Sequence, residues 1–191
     1  MKKMKSALDK KESLIYDHLK DVTVISKDED EIQCHGLILS VRSKVFETIL
    51  EPTKKSENTI NIKDFDTSTI RKMLRYIYTD TVDEDEIDID LLAIADMYQI
   101  DGLKIACEKN ICKDLDVNNV LDAWIGANKF NCNMLLNSCK DFLFDYWLDV
   151  QMTKSFSRLM KENGDDMKTL AVMIANMYAN SKAIPRNNSL K

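Results

Sequence analysis

The 191-residue sequence predicts an α+β fold in which strands and short helices fill the first part of the chain and a helical extension follows. Three observations carry this. Val22 and Val24 alternate against Thr23, with Ile25 following, and a charged turn at 27–30 leads into the return segment Glu31-Ile32-Gln33-Cys34, the pattern of a half-buried hairpin. Directly after Cys34 the period lengthens to that of a helix. From Leu91 onward helical offsets run almost without a break, and only 4 Gly and 2 Pro punctuate the whole chain.

The elements follow in order. Leu8, Ile15 and Leu19 share one face of an N-terminal helix with Leu14 at its edge; a frayed terminus is the bland alternative. After the hairpin, Leu37, Leu39 and Val41 form a short apolar run, and Val45, Phe46, Ile49 and Leu50 recur at helical offsets behind Ser43, which is placed to cap them. Residues 51–57 are polar, contain Pro52 and read as a loop, and 58–62 alternate as a strand. Asp66 caps a helix whose buried face is Ile70, Met73, Leu74 and Ile77. The acidic run Asp83-Glu84-Asp85-Glu86 suits a helix N-terminus, where the macrodipole favours negative charge. A calcium loop fits it poorly, because the central Gly and closing Glu of an EF-hand are missing.

Leu91, Leu92, Ala95 and Tyr98 make one helical stripe, and Leu103, Cys107, Ile111 and Leu115 another. Asp116 reads as the N-cap of a helix carrying Val120, Leu121 and Trp124. Leu135, Cys139, Phe142, Leu143 and Tyr146 mark a long helix ending near Trp147. Phe156, Leu159 and Met160 make a short helix stopped at Gly164, and Asp165 caps a last one running to Tyr178. The tail from Asn180 has no periodicity.

Composition narrows the function classes. A 45% hydrophobic and 31% charged chain is an ordinary globular one. A net charge of -5 disfavours a nucleic-acid partner, which needs clustered Lys and Arg to displace phosphate counterions. Five scattered Cys argue against a disulfide framework and for a reducing compartment, so a cytoplasmic or nuclear protein is expected. No window resembles a secretory signal or reaches the roughly 18 apolar residues of a membrane span, so no membrane partner is expected.

Catalytic chemistry finds no foothold. Cys34 and His35 are neighbours on a strand and point to opposite faces, and Cys107 and Cys112 lie on different sides of a helix. Cys132 and Cys139 stand about 10 Å apart by helical rise, too far to share one metal. The Gly residues at 36, 102, 126 and 164 are isolated and form no phosphate loop. No catalytic residue, cofactor or metal ligand is therefore assigned, and an interaction module is expected.

A resemblance then gives that module a shape. The segment 35–46, HGLILSVRSKVF, preceded by Asp21-Val22, resembles the H-x-x-x-L-A-x-R-S-x-x-F signature of BTB/POZ domains, with Ser40 in place of the small Ala. Ile62, Phe65 and MLRYIYT at 73–79 resemble the same family's next motif, and ADMYQIDGLK at 95–104 a third. The resemblance implies a small mixed sheet flanked by helices. It divides the chain into an N-terminal dimer arm at 1–20, a BTB/POZ domain at 21–115, a three-box or BACK-like extension at 116–179, as in speckle-type POZ and kelch-type adaptors, and a flexible tail at 180–191.

The resemblance also implies partners. A homodimer, or a heterodimer with another BTB protein, would use Leu8, Leu14, Ile15, Asp21, Leu37, Ile38, Leu39 and Arg42, with Asp21 and Arg42 as a buried charge pair. One short helix cannot bury Leu37, Ile38 and Leu39 together in its own core, which independently calls for a partner. The N-terminal domain of the third cullin would meet Leu50, Lys54, Glu57, Tyr98, Ile100, Asp101, Val120 and Trp124. The loop at 52–57 departs from the hydrophobic-x-Glu motif of cullin-binding members, having Thr or Lys where an apolar anchor is wanted. The expected role is an adaptor between a substrate protein and a cullin-RING ubiquitin ligase. The alternative is a dimerisation scaffold in transcriptional or cytoskeletal regulation that recruits no cullin.

Overall fold

The structure is a computed structural model that describes residues 19–51, 58–162 and 164–183. The hairpin forms as the alternation predicts. Strand β1 (Val22–Ser26) pairs antiparallel with β2 (Glu31–Cys34) and parallel with β3 (Thr59–Ile62), giving a mixed three-stranded sheet in the order β2-β1-β3. The parallel pairing requires a crossover, and α1 (Gly36–Arg42) and α2 (Lys44–Ile49) supply it. Val22, Val24, Ile60 and Ile62 turn to the buried side of the sheet, and burying such side chains stabilises the fold by roughly 1.5–3 kcal/mol each.

Ser26, at the buried end of β1, would cost stability if left without partners. Its hydroxyl accepts from the Asp28 and Asp30 amides, both at 3.2 Å, and bonds the Thr67 hydroxyl at 2.8 Å. Those bonds tie the hairpin turn to the start of α3 (Thr67–Thr79), whose N-cap Asp66 accepts from the Thr69 amide at 2.7 Å. On α3 the buried face is Ile70, Met73, Leu74 and Ile77, as the periodicity predicts. The helix closes on Asp80 in the left-handed conformation, φ 56°, which short Asp tolerates better than most residues.

The acidic run is held by side chains of α3. Arg75 bonds Asp83 at 2.9 Å and also pairs with Glu86, while Lys72 bonds Asp88 at 2.8 Å. Residues Glu84–Glu86 form a single 3-10 turn, and the N-cap of α4 (Ile89–Met97) is Asp88, whose carboxylate accepts from Leu91. Helix α5 (Asp101–Lys113) follows.

The chain divides into two compact units, residues up to Cys107 and residues from Glu108. The second is helical: α6 (Val120–Lys129), α7 (Asn133–Gln151), α8 (Lys154–Glu162) and α9 (Asp165–Ala183). Its core gathers Leu121, Trp124, Leu135, Cys139, Leu143, Leu159 and Leu170. Local expectations change here: the last helix takes Asp165 as its first residue, not its N-cap, and runs past Asn180 to Ala183. Asp116 organises the turn before α6, accepting from the Asn118 and Asn119 amides, and the helix itself begins behind Asn119. Helix α7 does not end near Trp147; it kinks at Tyr146 (φ -117°, ψ 22°) and continues to Gln151. No helix among the described residues is long and apolar enough to cross a membrane.

Candidate interaction surfaces

Helix α1 has only seven residues, so its apolar side chains must divide between interior and exterior. Leu39 is fully buried and Ile38 half-buried, whereas Leu37 and Val41 are 77% and 76% exposed. These last two stand four residues apart and share one face. Leu39, expected on the contact face, is buried in the core instead, because the i+2 offset from Leu37 carries it round to the opposite side of the helix. Val41 takes its place outside. The spacing of Val41 from Leu37 is the sequence signal for this shared face, although Val41 was not among the residues expected at the contact.

The charges beside this face have partners other than those expected. Asp21 is exposed and its carboxylate accepts from the Gly36 amide at 2.7 Å, at the N-terminus of α1, where negative charge is favoured. His35, the N-cap residue, contributes no side-chain cap; its ring and amide both bond the Tyr78 hydroxyl, at 2.9 and 3.0 Å. Arg42 pairs with Asp80 and lies 6.0 Å from the Tyr76 ring centroid. Asp21 and Arg42 therefore anchor opposite ends of α1 and are not a pair with each other. Gly36 is required by the close approach: a Cβ there would sit 2.9 Å from Val22 Cγ2 and 3.3 Å from Asp21 Oδ1. Leu8, Leu14 and Ile15 lie outside the described residues.

The second candidate surface is built around the C-terminal end of α2 and the α4–α5 turn. Ser43 links them, capping α2 through Phe46 at 3.1 Å and donating to the Tyr98 carbonyl at 2.6 Å. Tyr98 stacks on the buried Phe46 ring, centroids 4.5 Å apart, and burial pushes its hydroxyl up to about 12. Tyr98 and Ile100 are both buried, so the turn hides them and presents Asp101. Leu50 is half-buried. Met97 and Ile105 are 47% and 50% exposed, and Ile105 follows Asp101 by one turn on the same face of α5. Both fall out of phase with the stripes that fill the core, the one sign in the sequence that they face outward.

Val120 and Trp124, expected to touch a partner, are buried within the second unit. Their places at the start of α6 make them core positions because that helix packs on α7. Lys54 and Glu57 lie outside the described residues.

Two of the thiols are held in their protonated form. Burial pushes the Cys34 thiol up to about 11 and that of Cys139 to about 12, opposite to what a reactive thiolate needs. No cluster of three metal-ligating side chains occurs among the described residues.

Comparison with known proteins bears on these surfaces. A family model described as BTB/POZ domain matches residues 11–115, more than half of the chain. BTB and MATH domain-containing protein 40 of Caenorhabditis elegans is 33% identical over 133 residues, a match covering 64% of this chain and 33% of that protein. The chain thus spans about a third of that relative's length. The BTB domain of human gigaxonin aligns with a TM-score of 0.44 and 25% identity, over 51% of this chain and 81% of that one.

Proposed function

Since the chain belongs to the BTB/POZ domain family, a protein-interaction domain, we propose that it forms a homodimer and links a substrate protein to a cullin-RING ubiquitin ligase through the N-terminal domain of the third cullin. The observation that carries the dimer is the outward pair Leu37 and Val41 on α1. Two large aliphatic side chains left in water on one face of a seven-residue helix mark a protein-binding patch. A second copy, presenting the same pair across a two-fold axis, covers it with matching apolar surface. A relative of this chain within the family would cover it equally well as a heterodimer.

The cullin surface is drawn from Leu50, Asp101 and Ile105, which are accessible, with Tyr98 and Ile100 holding the turn that presents them. Lys54 and Glu57 follow Leu50 in sequence and are assigned to the same surface in this reading. The relative's name pairs its BTB domain with a MATH domain; a substrate-selecting module of that kind, in the same longer protein or in a dimer partner, would complete the adaptor. The appended helices serve in this reading as a three-box or BACK-like support, with Val120 and Trp124 in its interior.

Co-purification of the chain with the third cullin's N-terminal domain tests the reading. Asp101→Lys and Ile105→Glu, both at exposed positions, are expected to abolish an interaction that the parent chain shows at micromolar concentration. A parent chain that dimerises but retains no cullin would favour the second reading, an assembly scaffold. The burial of Tyr98, Ile100, Val120 and Trp124 is the observation on that side.

A further inference from the structure

The second unit holds a groove of about 450 Å³, walled by α6, α7 and α9, that neither surface above uses. Its apolar walls come from Leu136, Val172, Met173 and Met177, and its one charged lining group is Lys140. No carboxylate lines it, although the chain as a whole carries a charge of -5. Lys140 has no ion-pair partner among the described residues. Trp124 also lines it, 1% exposed, and its Nε1–H is buried without an acceptor among the described residues. Buried indole N–H groups ordinarily find one. The groove therefore sets a buried indole donor and a positive charge beside apolar walls; Asn128, Thr169 and Asn176 complete its polar lining, and no carboxylate in it answers the Lys140 charge.

We propose that this groove binds a short apolar segment of a partner protein that carries an Asp or Glu side chain. The carboxylate meets the Lys140 ammonium, a backbone carbonyl of the segment accepts from Trp124 Nε1, and its apolar side chains cover Val172 and Met177. The dimensions suit such a segment. Thr169 and Met177, both lining residues, stand about 12 Å apart along α9, the span of three to four residues of extended chain. Met173 and Met177 line the groove together with Trp124, and their unbranched thioether side chains adapt to a bound segment at little cost. Residues 184–191 contain Arg186 and Lys191 and no acidic side chain, so they supply no side-chain carboxylate for Lys140.

The test selects a display library of random octapeptides on the full chain, then titrates the selected pool into ¹⁵N-labelled protein while following the two indole N–H resonances. Trp124→Phe identifies its peak, and Trp147 serves as internal control. The expected pool is enriched in Asp or Glu beside aliphatic residues and moves the Trp124 resonance alone. Its affinity falls at least ten-fold in Lys140→Glu and in Val172→Arg, both at accessible positions, while the helical circular dichroism is unchanged. A pool without acidic enrichment, or binding indifferent to both variants, overturns the proposal. So does a shift of the Trp124 resonance on deleting residues 184–191, which would make the tail the occupant. Displacement of the pool by the third cullin's N-terminal domain would also overturn it, because the groove would then be part of the cullin surface. Failure of cullin binding alone leaves this result untouched, so the two readings fail separately.

Discussion

Ser43 shows how one side chain can hold two elements in register. It is buried, its oxygen accepts from the Phe46 amide at the start of α2, and its hydrogen goes to the Tyr98 carbonyl at the end of α4. Ser43→Ala removes the cap and strands a buried carbonyl. A lost cap costs about 1 kcal/mol and an unsatisfied buried acceptor about 1–3 kcal/mol. Urea unfolding of Ser43→Ala is expected to show a loss of about 2–4 kcal/mol with an unchanged slope; a loss within about 0.5 kcal/mol, the range of ordinary surface substitutions, would mean that water reaches both groups. Tyr98, Cys34 and Cys139 make a second prediction at this scale. Each is uncharged when protonated, and burial raises each above its ordinary value, to about 12, 11 and 12. Above the ordinary thiol value of 9.0 the unfolded chain holds fewer protons than the folded one, so stability falls as pH rises toward 11 and beyond. Urea midpoints measured upward from pH 8.5 should decline in the parent chain and decline less steeply in Cys139→Ala.

Among the elements, α1 decides most and is the least self-sufficient. Seven residues make too short a helix to persist alone. Asp21 fixes its start, Arg42 with Asp80 its end, and Leu39 its depth. Gly36→Ala would drive a methyl against Val22 and the Asp21 carboxylate, so α1 must tilt or lose that bond. Amide hydrogen exchange should show the 37–42 amides losing protection in this variant while α3 keeps its own; unchanged protection in α1 would show that the strand end yields instead. The same helix separates what sequence reading reaches from what it misses. The hairpin, the caps at Ser43 and Asp66 and the buried stripe of α3 depend on neighbours within a few residues, where side-chain period speaks directly. The partners of Asp21 and Arg42 lie 15 and 38 residues away, and no local pattern encodes a contact across a crossover. Tyr98 illustrates the same limit, since its ring is claimed by Phe46, some fifty residues earlier, and was unavailable to the surface where its motif suggested it. The outward turn of Val41, Met97 and Ile105 was legible only as a mismatch of phase.

For the molecule as a whole, the exposed pair on α1 makes stability depend on concentration. If Leu37 and Val41 meet their copies across a two-fold axis, association stabilises the folded chain by mass action, and the unfolding temperature rises with protein concentration. Burying these side chains contributes roughly 1.5–3 kcal/mol each, before the cost of bringing two bodies together. Leu37→Asp and Val41→Asp place a carboxylate where the partner's apolar surface belongs, and neither touches the core, because both positions face solvent in the single chain. The double variant is expected to sediment as a monomer at tens of micromolar, to unfold at a temperature independent of concentration, and to keep the circular dichroism of the parent. The parent should sediment as a dimer over the same range. A parent that stays monomeric and unfolds at one temperature over a hundred-fold range of concentration would leave the α1 face to a different partner, and the adaptor would then have to be assembled from unlike chains.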